Sequence, residues 1–392
     1  MEDDIKYNLI DKIFFKKYRC VQYIGEGSFS YIYKAEYNNG KYCSLKLEDI
    51  NDKRNFLANE ASIMIYLKGP NIPYIITYGS SGGYNILAMQ LLGNNLQTML
   101  EKEGTFSLKT VCLLGFQMIS ILEQIHNKGV IHRDIKPENF LMGKEPESNP
   151  NYLYLIDFGV SKYFDKNNLN DIITNKRKLT GTPRYASINA LRGLEQSMRD
   201  DLESVGYILI YFLKGTLPWI GLEDIDPSET IKKICIRKIE TSSFDLCSGL
   251  PKQFIKYFDY CKNLEFDEMP DYIMLKDLFM KMLKIENEKY DYIYDWNKLN
   301  KNKSKNYKNS GFYSKSTEIG NVNILPTEDN RPIKTKNINY IQMFGKIDNK
   351  EEQKLQSGKK DEIKEDDKVN KDNENEKKNN DKEEPTTCCL IY

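Results

Sequence analysis

Residues 131–140 read IHRDIKPENF. His132, Arg133, Asp134, Lys136 and Asn139 crowd into that stretch, between a helix-like apolar run and a tyrosine-rich apolar run. A solvated turn can carry such groups, and so can a loop that does chemistry. What surrounds the stretch decides between them. Upstream, Val111, Leu114, Met118, Leu122 and Ile125 recur on one helical face. Ser107 suits the N-cap of that helix and Gly129 a left-handed C-terminal position. The loop therefore begins where a buried helix ends. Downstream, YLYLI (152–156) is a short buried strand that runs straight into Asp157-Phe158-Gly159.

The residue types suit transfer of a charged group. Asp134 can accept the proton of an attacking hydroxyl. Asn139 offers an amide oxygen to a divalent cation, and Lys136 can steady a transferring phosphoryl group. Asp157, at the end of its strand, offers a hard oxygen ligand to the same cation. His132 reads as structural, packing the loop against the Asp157 region. A charged turn can carry the first set by chance, but chance does not supply the second at this distance and in this strand context.

Toward the N-terminus the chain reads as strands. RCVQYIG, YIYKAEY and YCSLKLE are rich in β-branched and aromatic residues, and the Asn38-Asn39-Gly40 turn makes a hairpin of the last two. A helix is expected around FLANEASIMIYLKG, closed by Gly69-Pro70, and two further strands in ITYGSSGGYNILAMQLLG. Gly25-Glu26-Gly27-Ser28-Phe29 sits between two strands, where glycines let backbone N–H groups approach phosphate. Lys46 ends the next strand and Glu60 lies fourteen residues on, in the helix. Such a pair can hold an ammonium against phosphates, although by itself it also reads as a surface ion pair. Later helices are expected at 200–213, 251–262 and 271–284. The pattern is α+β: a small β-rich lobe, then a larger helical lobe, with a cleft between them.

The 392 residues carry 57 Lys plus Arg against 57 Asp plus Glu, so nothing global points to nucleic acid or an anionic surface. Eight cysteines with no C-x-x-C pair, and only two histidines, argue against a zinc site and for reduced thiols in the cytoplasm. MEDDIKYNLI is acidic and lacks the apolar core of a signal peptide. No apolar run is expected to span a bilayer. From about residue 300 the chain is Lys-, Asn- and Glu-rich and nearly devoid of large apolar side chains, the composition of a disordered tail, apart from the island INYIQMFGKI (338–347).

Gly25-x-Gly27-x-Phe29, Lys46, Glu60, HRDIKPEN and DFG stand in the order and context of a protein kinase. The closer resemblance, over residues 18 to 299, is to the casein kinase I family. LLGNNL, FSLKTV, HRDIKPENFLMG, LTGTPRYASINA, EQSMRDDLES and YDYIYDWN look like its phrases. Ser187-Ile188-Asn189 replaces the usual Ala-Pro-Glu, which is a mark of that family. The resemblance implies a two-lobed fold, with an N-terminal extension (1–17), an N-lobe (18–92), a C-lobe (93–299), the tail (300–387) and a terminus (388–392). It also implies transfer of the ATP γ-phosphate, with Mg²⁺, to Ser or Thr of protein substrates, by a protein expected to be monomeric. Asp134, Lys136 and Asn139 would be catalytic, with Asn139 and Asp157 on the metal. Ile24, Ile32 and Leu141 would sandwich the purine. Met89 falls at the gatekeeper position, and Gln90 to Leu92 form the hinge. Asp201 would hold the catalytic loop backbone.

The sequence also departs from the family. Ser30 replaces the third glycine of the loop, and Ser44 an alanine that touches adenine. A basic pocket for acidic or phosphorylated substrates is expected from Arg177, Lys178 and Arg184. After Trp219, however, GLEDIDPSET brings Glu223, Asp224, Asp226 and Glu229, and Thr230 stands where a lysine is expected. Weaker dependence on a priming phosphate follows, unless Lys232 and Lys233 compensate. Thr174, Thr180 and Tyr185 are candidate phosphate acceptors that Arg133 would read. Cys388 and Cys389, at the very end, are candidate lipidation sites for peripheral membrane attachment.

Overall fold

The computed structural model describes residues 9–27, 30–38, 40–146, 148–164, 178–222 and 224–297. Asn39, the 300–387 tail with its 338–347 island, and Cys388 and Cys389 lie outside them. The N-terminal part is a six-stranded antiparallel sheet in the order β1-β2-β3-β4-β6-β5. Its strands are β1 (Ile13–Phe14), β2 (Tyr18–Gly27), β3 (Ser30–Tyr37), β4 (Lys41–Asp49), β5 (Ile75–Ser81) and β6 (Tyr84–Met89). Helix α1 (Phe56–Leu67) intervenes between β4 and β5. The hairpin read at Asn38–Gly40 closes with Tyr37 opposite Lys41.

Strand alternation sorts β4 by face. Cys43, Leu45 and Leu47 join Tyr33, Ala35, Ile86 and Ala88 in a core under the sheet. Ser44, Lys46 and Glu48 point the other way, as the period of two requires, and are buried nonetheless. One expectation fails here. Residues 9–17 are part of this lobe rather than an extension: Ile13 pairs with Arg19, Phe14 is fully buried, and Asp11 and Cys20 share a backbone hydrogen bond. Phe14 is a core side chain, and burying it ties the segment to the sheet.

The C-terminal part is helical. Its helices are α2 (Leu96–Glu103), α3 (Leu108–His126), α4 (Ile188–Leu191), α5 (Met198–Lys214), α6 (Pro227–Glu240), α7 (Ser243–Leu246), α8 (Gln253–Asn263) and α9 (Tyr272–Ile285). Short strands β7 (Val130–Ile131), β8 (Phe140–Met142), β9 (Leu153–Leu155) and β10 (Lys162–Tyr163) pair as β7 with β10 and β8 with β9. Helix α3 packs against α5 and α9. Ser107 caps it, accepting from the Thr110 N–H. By length and composition α3 is apolar enough to cross a membrane, contrary to the expectation from sequence. Its apolar residues face the lobe instead, and Val111 through Leu114, Met118, Ile119, Ile121, Leu122 and Ile125 are all buried. It is the central core helix. Gly129 takes a left-handed φ of 72° but lies beyond the cap residue Asn127, in the turn that leads to β7.

Candidate active site

The strand face that buries Lys46 also sets up its partner. Glu48, two residues on, accepts the Leu57 N–H at 3.1 Å and so caps the first turn of α1, where Asn55 makes no side-chain cap. One turn later Glu60 faces back toward β4. Lys46 Nζ lies 2.7 Å from Glu60 Oε2 and 2.7 Å from Asp157 Oδ1. The alternative of a surface ion pair is excluded, since Glu60 is 1% exposed. Burial works against the Lys46 ammonium, but the two carboxylates outweigh it and raise its pKa. Glu60 is pushed up by burial, with Lys46 pulling against it. Burial also presses on Asp157, but there Lys46 and Lys136 prevail and hold the carboxyl below its usual range. The Lys46 and Lys136 ammonium groups together thus keep Asp157 ionised.

The loop of residues 131–140 is suspended from helix α5. Asp201 accepts the His132 N–H at 2.7 Å and the Arg133 N–H at 2.9 Å. His132 Nε2 lies 3.0 Å from the Ile156 carbonyl, and its ring meets Phe158 edge-on at 5.0 Å. Asp134 is held on both oxygens. Oδ1 accepts the Thr182 N–H and hydroxyl, both at 3.0 Å, and Oδ2 accepts Lys136 Nζ at 2.7 Å. Asn139, in a 3₁₀ turn, donates Nδ2 to the Asp134 carbonyl at 2.8 Å. Gly181 brings Thr182 this close. Its φ is +98°, and a Cβ there would sit 2.4 Å from the Arg133 carbonyl oxygen.

The turn at Asp157-Phe158-Gly159 is clamped from two sides. Asp157 itself holds a positive φ of 66°, a strained setting of the kind found at functional sites. Asn59, beside Glu60 on α1, donates to the carbonyls of Gly159 at 2.9 Å and Ser161 at 3.1 Å. Arg133 Nε donates to the carbonyl between them, that of Val160, at 2.7 Å. Neither Asn59 nor Glu48 stands out in the sequence. The only local signal is a polar side chain beside an apolar periodic run, which usually faces solvent.

Gly27, Ser30, Lys46, Glu60, Asp134 and Asp157 line one cavity. Ser28 and Phe29 lie outside the described residues. Gly25 pairs with Ile32 and Glu26 with Tyr31 in the β2–β3 ladder, so the loop residues Gly25–Gly27 remain strand backbone. Ile32 stands opposite Lys46, and Ser44 opposite Met89. Ile24 is half-exposed, while Met89, Gln90 and Leu92 are buried. The segment after them is tied to the lower lobe: Gly93 donates to Met142, and Asn95 bridges to Leu141.

Of the basic residues expected at the substrate pocket, Lys178 and Arg184 fall within the described residues. Lys178 lines a small hollow with Arg133, Thr180 and Glu195. Arg184 is partly buried, with its guanidinium 6.0 Å from the Tyr211 ring. Arg177, Thr174 and Glu223 lie outside the described residues. Thr230 spends its hydroxyl on the loop before it, accepting the Asp224 N–H at 2.8 Å. The two lysines that were to compensate are engaged locally, Lys233 with Asp224 and Lys232 with Glu229, each at 2.5 Å. Tyr185 is 1% exposed. Contrary to expectation it is not available for phosphorylation in this fold, because its ring is core and packs edge-on to Tyr211.

A strand-rich lobe with a Lys–Glu–Asp triad, set over a helical lobe that presents an aspartate and an asparagine, defines a protein kinase. Residues 18–289 match the family model described as protein kinase domain. The chain is also 38% identical over 341 residues to casein kinase I homolog 2 of Schizosaccharomyces pombe, covering 84% of this chain and 78% of that protein. The chain belongs to the protein kinase family, in its casein kinase I branch, and is a serine/threonine protein kinase. Members of that family generally use ATP and Mg²⁺.

Proposed function

We propose that this cavity binds ATP and directs its γ-phosphoryl group to Ser or Thr hydroxyls of protein substrates, with Asp134 as the proton acceptor. The observation that carries the assignment is the Lys46 bridge to Glu60 and Asp157, in a cavity whose lining also includes Asp134. Lys46 orients the α- and β-phosphates. Asp157, held ionised, and the amide oxygen of Asn139 are hard oxygen donors of the type Mg²⁺ takes. Bound there, the ion neutralises charge on the phosphate oxygens. Asp134 turns one oxygen to Thr182 and the other to Lys136, which fixes its carboxylate where an incoming hydroxyl meets it. Burial disfavours the Lys136 ammonium, yet Asp134 keeps it charged, next to the path of the transferring group. Catalysis by this set is placement and charge stabilisation.

The test is Mg-ATP-dependent phosphate transfer to casein. Asp134→Asn should lower turnover by about two to four orders of magnitude, the usual worth of a positioned acid–base group, and leave nucleotide affinity nearly unchanged. Full turnover in that variant removes Asp134 from the mechanism.

A finer reading concerns the substrate. The Thr230 hydroxyl and both neighbouring lysines are occupied within the acidic segment. Little positive charge is left there to receive a priming phosphate. Matched primed and unprimed peptides should differ by less than about tenfold in kcat/KM, under the roughly 1.4 kcal/mol that tenfold represents. A preference of a hundredfold or more for the primed peptide refutes it.

A further inference from the structure

Residues 183–188, Pro-Arg-Tyr-Ala-Ser-Ile, follow directly on Thr182, whose amide and hydroxyl hold Asp134. This segment therefore flanks the point where an acceptor hydroxyl must arrive. Its backbone and Ser187 are taken up in turn by side chains from beneath. Trp219 donates its indole N–H to the Arg184 carbonyl at 2.8 Å. Lys238 Nζ donates to the Ala186 carbonyl at 2.5 Å and reaches toward the Pro183 carbonyl at 3.3 Å. Asp200 accepts the Ser187 hydroxyl at 2.6 Å, and Glu203 accepts the Ile188 N–H at 3.1 Å.

Lys238 stands apart in this set. It comes from α6 and is 1% exposed. Its ammonium lies 4.2 Å from the Tyr207 ring centroid and 4.7 Å from that of Trp219. Its direct contacts are thus carbonyl oxygens and ring faces, with Glu203 adding attraction. Burial pushes its pKa down to about 7. Burying an ammonium in this way costs stability that a methionine of similar length would avoid. What the ammonium supplies and a methyl group does not is a donor with several hydrogens, aimed at two carbonyls of one turn.

We propose that Lys238 is a positioning residue for the protein substrate, fixing the 183–186 backbone at the height where it receives the acceptor peptide beside Asp134. The inference rests on the kinase reading above and deepens it. Lys238 touches neither the nucleotide cavity nor the reacting atoms; it acts through the Pro183 and Ala186 carbonyls. Trp219 does the same for Arg184, so three of four consecutive carbonyls are held by two side chains.

The experiment compares full-length wild type, Lys238→Met and Lys238→Gln, with peptide and ATP kinetics measured separately and a thermal melt for each. In Lys238→Met the peptide KM should rise about tenfold, as loss of the hydrogen-bond donor to the Pro183 and Ala186 carbonyls implies. Its ATP KM should stay at the wild-type value, and its melting temperature should be equal or higher. Lys238→Gln keeps a neutral donor and should fall between the two in peptide KM. An unchanged peptide KM overturns the inference. So does a parallel loss of ATP affinity, peptide affinity and thermal stability, which makes Lys238 general support. Should Lys238→Met not fold, the peptide KM of Lys238→Gln decides alone. A wild-type chain that phosphorylates no peptide sinks the proposed function instead, and the two failures are told apart by that control.

Discussion

Asp201 carries no chemistry of its own, yet the active loop hangs from it. His132 and Arg133 donate their backbone N–H groups to it, and His126 Nε2 lies 3.0 Å away. Burial alone would push its carboxyl up, but these partners win and lower it from the ordinary 3.8. A carboxylate lowered on folding contributes stability that is complete above its unfolded value and drains away as pH falls through the folded one. Asp201→Asn should therefore lower stability by about 3 kcal/mol at pH 7, in the range for breaking a buried charged network. The gap to wild type should narrow below about pH 4, as the wild-type carboxyl takes up a proton while the amide of the variant does not titrate. Denaturant melts at pH 3, 5 and 7 check it, and a gap that does not change with pH refutes the charged role. At this scale Asp134, Asn139 and Asp157 were legible from residue type and spacing. Asn59 and Glu48 were not, since each acts on a backbone group far along the chain or on another element.

Elements show where periodicity suffices and where it does not. The alternation of β4 is plain in CSLKLE, and it alone places Lys46 on the face opposite the lobe's core. The expected helices at 200–213, 251–262 and 271–284 correspond to α5, α8 and α9 within a few residues. Helices α2 and α6 are not resolved by periodicity, because so little of them is buried. The buried positions are Leu96 and Leu100 in one, and Ile234 and Lys238 in the other. Their caps were the better signal, with Asn95 accepting from Thr98 and Asp226 from Ser228. The cap of α1 is stranger, for it comes from the neighbouring strand. Glu48→Ala should cost about 1 kcal/mol, the usual worth of a lost cap. It should also weaken ATP binding severalfold, because Glu60 lies one turn beyond that capped end. Isothermal titration with Mg-ATP reads the second effect, and unchanged affinity would detach the cap from the site.

At the scale of the whole molecule, the large core runs from Leu57 and Met64 of α1 through α3, α5, α8 and α9 to Tyr294. The stretch after α9 completes it. Tyr294 is fully buried, accepts from Gln117 and donates to the Asn151 carbonyl, each at 2.7 Å, and stacks on Trp296. Asp295 accepts the Ser107 N–H and hydroxyl at the start of α3. A chain ending at residue 297 should keep wild-type stability and casein phosphorylation. One ending at 289 should lose at least about 3 kcal/mol, the scale of deleting one buried aromatic side chain. Thermal melts of the two decide, and equal melting temperatures would count against this closure.

Residue identity and local spacing alone determined the α+β order of elements, the loop with its aspartate and asparagine, and the strand face that carries the lysine. Those features are written in periods of two and 3.6 and in short motifs, which need no knowledge of distant partners. Only the tertiary structure decided that Lys46 is shared between Glu60 and Asp157, that Asn59 and Arg133 clamp the turn after Asp157, that Tyr185 is core, and that a buried lysine supports residues 183–186. Each of those depends on groups brought together by folding, such as Lys46 and Asp157, 111 positions apart. Pairings at that separation follow from how the two lobes and their cores pack, and local pattern carries no trace of them.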